Sequence, residues 1–403
     1  MNTRLPGITV AMALVLAACG SATTGGTNSS SSYQGKTIHL GAILSLTGAG
    51  GVYGPSSQKG ADLAVATINK SGGVNGAQLA LDTQDDASDK AQSQQVAQKL
   101  IQQASGQVLA LLGPTLSNSA VAVHPLAESF KVPILAVSTT GIHIVPDCNY
   151  PKPDPCKYVF RDSLGEESAI PANIKTYSTK AHPKTGVLMV ANDDKFSSDG
   201  GIIVQRTVSQ YGIQLLDTVA FSKTTADFAT PVTRAVQKKP DVIFITSLGG
   251  IPAKIMIEAR KQGFTGQFLG GNGFNTAVVS KQAGAAGNGA ESGSGWYLHN
   301  TFPSNASFVS DYKAKYGSDP DQFAAQGYTG ILILADAAKR ANLTFGDVAG
   351  DRTRIRAAME SVNIQTPLGP FQFTSTHDVK QTIWIIQMDG SGGFNLVISV
   401  NQS

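Results

Sequence analysis

The sequence has little charge, few cysteines and no long apolar run, and each shortage excludes a class of protein. Charged residues make up 15% of the 403 residues, the formal net charge is +3, and no long basic tract occurs. This composition argues against a nucleic-acid partner. The N-terminal apolar run, Ile8 to Ala18, has about 11 residues and cannot span a bilayer core that is about 30 Å thick. Three cysteines without a CxxC pair and six histidines without an HExxH motif give no metal-site pattern.

The N-terminus carries the pattern of an export signal. Arg4 precedes the apolar run, and small residues follow it in the segment Leu16-Ala17-Ala18-Cys19-Gly20, so we predict a signal peptide over residues 1–18. That segment resembles the bacterial lipobox, which implies that Cys19 is lipidated and that two acyl chains anchor the protein stably. A plain signal peptide with a chance cysteine is the alternative. Residues 19–35, rich in glycine and serine, are predicted to form a flexible tether.

The two remaining cysteines, Cys148 and Cys156, lie close together in a proline-rich segment. An exported chain meets an oxidising compartment, so we predict a disulfide between them. In the chain-entropy model, closing so short a loop stabilises the fold by about 2–3 kcal/mol. A metal-binding cysteine pair is the alternative.

A regular alternation of strand and helix patterns begins at Lys36. The apolar run Ile38–Leu44 is typical of a buried strand, and Gly54–Asn69 shows helical spacing of its apolar residues. The alternation pauses in the loop 141–158 and then continues to Leu269. Such an order favours a mostly parallel sheet with helices on both faces. Two such runs predict two α/β lobes, and the late strands are expected to complete one of them, at 370–373, 382–388 and 394–400.

Short motifs distributed along the body match one family in their order and spacing. They are GAILSLTG at 41–48, VYG at 52–54, NKSGGVNG at 69–76, LGP at 112–114, VPILAVS at 132–138 and PLGPF at 367–371. With them, the chain resembles the branched-chain amino-acid-binding proteins of ABC importers, which are type I periplasmic binding proteins. The resemblance runs from about Lys36 to Val400.

This resemblance implies two doubly wound, Rossmann-like lobes joined by a hinge around a central cleft. Lobe one is expected at 36–161 plus 297–366, and lobe two at 162–296 plus 367–403. In open α/β sheets, ligands bind beyond the carboxyl ends of the strands, and the two lobes are expected to face each other with those ends.

Lobe one is expected to hold the carboxylate of the ligand. Ser117, at a predicted helix start, is implied to bind the α-carboxylate; the alternative is that it only caps its helix. Thr139 or Thr140, after the next strand, is implied to donate a hydroxyl group to the same carboxylate. Tyr53 is implied to line the cleft, against the alternative of a tyrosine packed on the surface.

Lobe two departs from the amino-acid-binding pattern at two positions. Asn272 stands where the family has a glutamate for the ligand's ammonium group, and a neutral amide cannot offset that charge. Phe196 or Ser198 stands where the family has a cleft tyrosine. We therefore expect a ligand with a carboxylate or amide head and no free ammonium group. Phe196 and Phe274 are candidates for an apolar wall or for plain core, and the acidic pair 193–194 is a candidate for the missing charge or for loop caps.

These features predict a receptor that captures a small molecule by lobe closure and delivers it to the permease of an ABC importer. We expect an exported monomer, lipid-anchored on the extracytoplasmic face of the membrane, with no cofactor, no metal and no catalytic residue. An exported serine hydrolase is one alternative: Ser56-Ser-Gln-Lys59 matches the S-x-x-K pattern of β-lactamases, but the S-D-N element is absent. The glycine-rich segment 48–54 lacks the third glycine of a dinucleotide fingerprint. A lipid-anchored sensor without a transporter is the other alternative.

Overall fold

The computed structural model describes residues 33–103, 107–145 and 156–402. The predicted signal peptide (1–18), Cys19 and Cys148 lie outside the described residues, so export cleavage, lipidation and the disulfide stay predictions. Tyr33, at the end of the predicted tether, is buried, and its hydroxyl accepts a hydrogen bond from the Leu343 N–H at 3.0 Å. In the part of the chain that the structure describes, no helix is both long and apolar enough to cross a membrane.

The first sheet has five parallel strands in the spatial order β2-β1-β3-β4-β5. They are β1 (Thr37–Leu44), β2 (Gln78–Asp85), β3 (Ala110–Leu112), β4 (Ile134–Ala136) and β5 (Val159–Arg161). A sheet of parallel strands needs cover on both faces, and the side chains of β1 alternate accordingly. Leu40, Ala42 and Leu44 enter one core, while Ile43 enters the core on the opposite face. We call the part of the chain packed around this sheet lobe one.

The second sheet has seven strands in the order β14-β13-β10-β9-β8-β6-β7, and we call the part packed around it lobe two. Its parallel strands are β6 (Thr185–Ala191), β7 (Gln214–Phe221), β8 (Val242–Thr246), β9 (Gln267–Gly270) and β10 (Glu291–Ser294). A two-stranded hairpin follows in the chain and packs on the core of lobe one; it comprises β11 (Asn363–Thr366) and β12 (Gly369–Gln372). The antiparallel edge of the second sheet is made by the last strands, β13 (Ile383–Met388) and β14 (Phe394–Val400).

Helices cover both faces of both sheets, which confirms the predicted α/β fold of two doubly wound lobes. They are α1 (Gly54–Lys70), α2 (Lys90–Gln102), α3 (Ser117–Phe130), α4 (Glu166–Ala181), α5 (Lys195–Val208), α6 (Ala229–Val236), α7 (Ile251–Lys261), α8 (Ala277–Ala283), α9 (Pro303–Tyr316), α10 (Gln322–Arg340) and α11 (Val348–Met359).

The loops after the parallel strands of the two lobes meet each other. From lobe one, the loops after β3 and β4 lead to Ser117 and Thr140, and from lobe two the loops after β6 and β9 lead to Asp194 and Asn272. The hydrogen bonds between Asn118 of lobe one and the Asp194–Lys195 turn of lobe two join these loops directly, with Asn118 Nδ2 2.8 Å from Asp194 Oδ2. The carboxyl ends of the strands therefore converge on one region between the lobes.

Candidate functional site

Four of the predicted site residues surround one small cavity between the lobes: Tyr53, Ser117, Phe196 and Asn272. The cavity volume is about 10 Å³, which is the space that about one water molecule needs. The remaining lining residues are Thr115, Leu116, Ser138, Leu248, Gly273 and Phe323. Because a solute is far larger than this space, its entry requires the lobes to separate.

Tyr53 bridges the lobes from the start of α1. Its hydroxyl accepts a hydrogen bond from the Gly249 N–H at 3.0 Å and donates one to the Gly273 carbonyl at 3.1 Å, and both partners belong to lobe two. Its ring packs on Phe323 of lobe one, with ring centroids 4.8 Å apart. Tyr53 is 2% exposed, and this burial raises the pKa of its hydroxyl. Tyr53 thus fastens the two lobes in the closed arrangement.

Ser117 lies at the start of α3, and its hydroxyl does not cap that helix, since the N-cap residue is Leu116. Ser117 Oγ instead accepts a hydrogen bond from the Gly141 N–H at 3.3 Å. The first N–H groups of a helix have no acceptor within the helix and favour an anion. Ser117 is therefore placed to present a hydroxyl and free N–H groups to a carboxylate.

The loop after β4 carries the two predicted threonines, and both are buried. Thr140 Oγ1 donates to Glu166 Oε1 at 3.4 Å, whereas Thr139 Oγ1 has no partner within the described residues. Neither threonine lines the small cavity; Ser138 does, with its hydroxyl donating to the Thr115 carbonyl at 2.6 Å.

Glu166, which was not among the predicted site residues, places a carboxyl group between the two lobes. It is the first residue of α4, and its Oε1 accepts hydrogen bonds from the Asn272 N–H at 2.7 Å and from the Thr140 hydroxyl. Its Oε2 is buried and has no hydrogen-bond partner among the residues described. Burial raises the pKa of Glu166 to about 7, against a smaller opposing effect from these hydrogen bonds and from Arg161. Acidic residues are common in the first turn of any helix, so no local pattern distinguishes Glu166 as a site residue.

The positive charge of Arg161 lowers the pKa of Glu166, but the guanidinium group forms its hydrogen bonds elsewhere. Its Nε donates to Asp378 Oδ1 at 2.9 Å and its guanidinium also pairs with Asp378 Oδ2 at 2.5 Å. A third bond, from Nη1 to the Gly141 carbonyl at 3.4 Å, holds the loop that contacts Ser117. Arg161 therefore fixes the loop next to the site and neutralises Asp378.

Asn272 contributes through both its backbone and its side chain. Its N–H donates to Glu166, and its Oδ1 accepts from Gln322 Nε2 at 2.5 Å. Ser198, in contrast, is turned toward the end of β6, with its hydroxyl 3.4 Å from the Asn192 carbonyl, and it does not line the cavity. Phe274 was a candidate for the cleft wall or for the hydrophobic core, and it is buried in the core of lobe two.

The two acidic residues at 193–194 form local hydrogen bonds at a helix start and in a loop. Asp194 accepts from the Ser197 N–H at 2.8 Å and so caps α5, while Asp193 accepts from Ser222 and from the Lys223 N–H. Among the described residues, no group of three or more histidine, cysteine or acidic side chains could hold a metal ion.

Comparison with known proteins gives a consistent set of relatives. The profile of the family described as "Periplasmic binding protein" matches residues 37–393. The leucine-, isoleucine-, valine-, threonine- and alanine-binding protein of Pseudomonas aeruginosa is 25% identical over 350 residues, which are 85% of this chain and 87% of that protein.

Two solved structures share the fold. The branched-chain amino acid transporter substrate-binding protein of Streptococcus pneumoniae, in complex with isoleucine, has a TM-score of 0.80 at 24% identity, covering 91% of this chain and 99% of that chain. A solute-binding protein of an ABC transporter from R. palustris, in complex with benzoate, has a TM-score of 0.80 at 21% identity, covering 91% and 98%. The chain therefore belongs to the periplasmic binding protein family, whose members are exported solute-binding proteins rather than enzymes, and this confirms its resemblance to the branched-chain amino-acid-binding proteins.

Proposed function

We propose that this protein is the solute-binding receptor of an ABC importer and that it captures a free amino acid between its lobes. The observation that carries the proposal is the buried carboxyl group of Glu166, which lies between Thr140 and Asn272 with one oxygen unpaired. Asn272 stands where the family has the glutamate that binds the ligand's ammonium group, and this led to the expectation of a ligand without one. Glu166, at the start of α4, provides a carboxylate in place of that glutamate. The ligand therefore carries an ammonium group as well as a carboxylate.

The two ends of an amino acid match two different sides of the site. Its carboxylate binds at the start of α3, where Ser117 Oγ and the helix N–H groups supply donors. Its ammonium group binds Glu166, since a nearby positive charge favours the ionised carboxylate and lowers its pKa. Phe196, Tyr53 and Phe323 supply an apolar surface for the side chain once the lobes have opened to admit it.

Names of relatives support this ligand class and provide its competitor. The P. aeruginosa relative is named for binding apolar amino acids and threonine, and the S. pneumoniae structure contains isoleucine. The R. palustris structure contains benzoate, which has no ammonium group. A protonated Glu166, which a pKa of about 7 allows near neutral pH, suits such a ligand because it donates a hydrogen bond.

Calorimetric titration at several pH values separates these two candidates. The affinity for leucine is expected to rise as the pH increases through about 7, because ionised Glu166 binds the ammonium group. The affinity for benzoate is expected to fall over the same pH range, because ionised Glu166 can no longer donate a hydrogen bond to it. Glu166→Gln should weaken leucine binding by roughly 10- to 100-fold, the loss of a hydrogen bond to a charged group.

Two further variants complete this experiment. Glu167→Gln is the matched control, because Glu167 is the exposed neighbour of Glu166 and should leave the affinity unchanged. Ser117→Ala should weaken binding of either ligand by roughly 1–3 kcal/mol, the cost of an unpaired polar partner. If no amino acid binds, or if leucine affinity is independent of pH and of Glu166, the proposed ligand class is wrong.

We propose that the closed form delivers its ligand to a permease and that a lipid on Cys19 holds the protein at the membrane as a monomer. The Cys148–Cys156 disulfide belongs to the same exported form. A strain lacking the protein should lose high-affinity uptake of the ligand. Unchanged uptake would favour a sensor that works without a transporter.

A further inference from the structure

A second and larger cavity lies on the other side of Gln322 from the cleft, with a volume of about 290 Å³. Lobe one contributes the segment 319–322 before and at the start of α10, and lobe two contributes Ile386 and Phe394. The chain between the lobes adds Trp296 and Tyr297. The cavity is therefore built from residues of both lobes as they are arranged in this structure.

Aromatic rings and carboxylates share the wall of this cavity, and its lining residues include no lysine, arginine or histidine. Trp296, Tyr297 and Phe394 supply the rings, and Asp319 and Asp321 supply the carboxylates. Asp319 is paired with the exposed Lys313 at 3.0 Å, while Asp321 accepts from the Ser56 hydroxyl at 2.5 Å. Aromatic faces and carboxylates both attract an organic cation. We propose that this cavity is a second small-molecule site and that it takes a compact aromatic amine.

Gln322 links this site to the cleft. Its Oε1 accepts from the Ser294 hydroxyl at 2.5 Å and from the Gly295 N–H at 2.9 Å, and its Nε2 donates to Asn272. Asn272 lines the cleft cavity and donates its N–H to Glu166. The wall of the second site is thus one hydrogen bond away from the residues proposed to bind solute.

An occupant of the second site favours this closed arrangement, because it contacts residues of both lobes at once. It therefore raises the affinity of the cleft for its own ligand, and by reciprocity the cleft ligand raises the affinity for the amine. This coupling rests on the proposed function, whereas binding of the amine does not.

The test uses 2-phenylethylamine as the probe, titrated calorimetrically into four proteins. Ala277→Trp places a bulky side chain at a position that lines the cavity, and Val278→Trp adds the same side chain at the neighbouring position, which is also exposed and does not line it. Glu166→Gln reports on binding in the cleft. Saturable binding is expected to wild type, Val278→Trp and Glu166→Gln with similar affinity, and at least tenfold weaker binding to Ala277→Trp. Leu298→Trp, at another lining position, gives the same loss if Ala277→Trp fails to fold.

Three results would overturn the second site: no binding to wild type, equal binding to Ala277→Trp, or loss of binding in Glu166→Gln, which would place the probe in the cleft. The coupling is measured separately, as a several-fold tighter Kd for leucine when the probe is saturating. An unchanged leucine Kd removes the coupling. If the probe binds but leucine does not bind at all, the proposed function is contradicted and the proposal of the second site is unaffected.

Discussion

At the scale of single residues, the hydroxyl group of Tyr53 joins the two lobes at the cleft. Tyr53 Oη receives a hydrogen bond from Gly249 and gives one to Gly273. Both partners are backbone groups of lobe two, so their positions are set by the fold rather than by a rotatable side chain. Separation of the lobes would break both hydrogen bonds, so their free energy favours the closed arrangement.

Tyr53→Phe should therefore weaken ligand binding about tenfold, since two buried hydrogen bonds contribute about 1–2 kcal/mol together. Calorimetric titration of the variant measures the change. Tyr316→Phe is the control, because it removes one tyrosine hydrogen bond, to the Lys59 carbonyl, that lies wholly within lobe one. Equal losses in the two variants would show that the hydroxyl of Tyr53 has no part in closure.

Glu166 should make the stability of the protein fall as pH rises. Its pKa is raised from its ordinary value of 4.5 to about 7, so the folded state holds a proton that the unfolded state has released. The cost of ionising the buried group appears above pH 4.5 and is complete above about 7, where it reaches about 3 kcal/mol.

Glu166→Gln should remove this cost, so that the variant gains stability relative to wild type as pH rises through this window. Chemical unfolding at pH 4, 5.5, 7 and 8 measures the difference between the two proteins. That difference isolates Glu166 from other buried carboxyl groups, such as Asp162 and Asp321, which burial also shifts upward in pKa. A difference that does not change with pH would contradict the prediction.

At the scale of secondary-structure elements, helices α1 and α10 of lobe one pack very closely against each other. A side-chain carbon added at Gly60 would lie 2.0 Å from the Ala324 carbonyl oxygen, and one added at Gly327 would lie 2.1 Å from that of Ser57. Only glycine allows the two helices to approach so closely. The start of α10 also carries Gln322 and Phe323, so this contact positions the walls of both cavities.

Gly60→Ala should reduce the free energy of unfolding by about 1–3 kcal/mol, because the added methyl group overpacks the interface. Urea unfolding measures the loss. The matched control is Gly346→Ala, whose added carbon would have no atom within 4 Å, and a change of less than about 0.5 kcal/mol is expected there. A loss at Gly60 no larger than at Gly346 would mean that the helices can separate without cost.

For the whole molecule, the chain passes between the lobes after β5, after β10 and before β13. Gln381 donates to the Asp162 carbonyl at 2.6 Å and so ties the first and third passages together. These segments form the hinge about which the lobes must separate to admit a solute.

The location of the whole molecule is predicted to depend on one atom, the sulfur of Cys19. Cys19→Ser should shift the exported protein from the membrane fraction to the soluble fraction, because a chain without its acyl groups has no stable anchor. Fractionation with immunoblotting measures the shift, and Cys156→Ser is the control, since that cysteine lies in the folded body. Retention of Cys19→Ser in membranes would contradict lipid anchoring.

The sequence by itself determined the alternation of strands and helices, the two-lobe fold and several residues of the cleft. These features depend on local patterns: apolar runs, helical spacing and short glycine motifs are visible in a single stretch of chain. Tyr53, Ser117, Phe196 and Asn272 were predicted from the resemblance to the branched-chain amino-acid-binding proteins, and the structure brings them around one cavity. Ser198 was also predicted but lies outside that cavity, because its position on the first turn of α5 directs it back toward β6.

Only the tertiary structure decided which glutamate is buried between the lobes. Glu166 is one of two adjacent glutamates at a helix start, and nothing local distinguishes the buried one from the exposed one. The distinction arises from Thr140 and Asn272, which are 26 and 106 residues away in the chain. The second cavity has the same origin, since its walls come from segments that are far apart in the chain. Burial, pKa and cavity shape are set by such distant contacts, whereas the choice of strand or helix is set largely by neighbours in the chain.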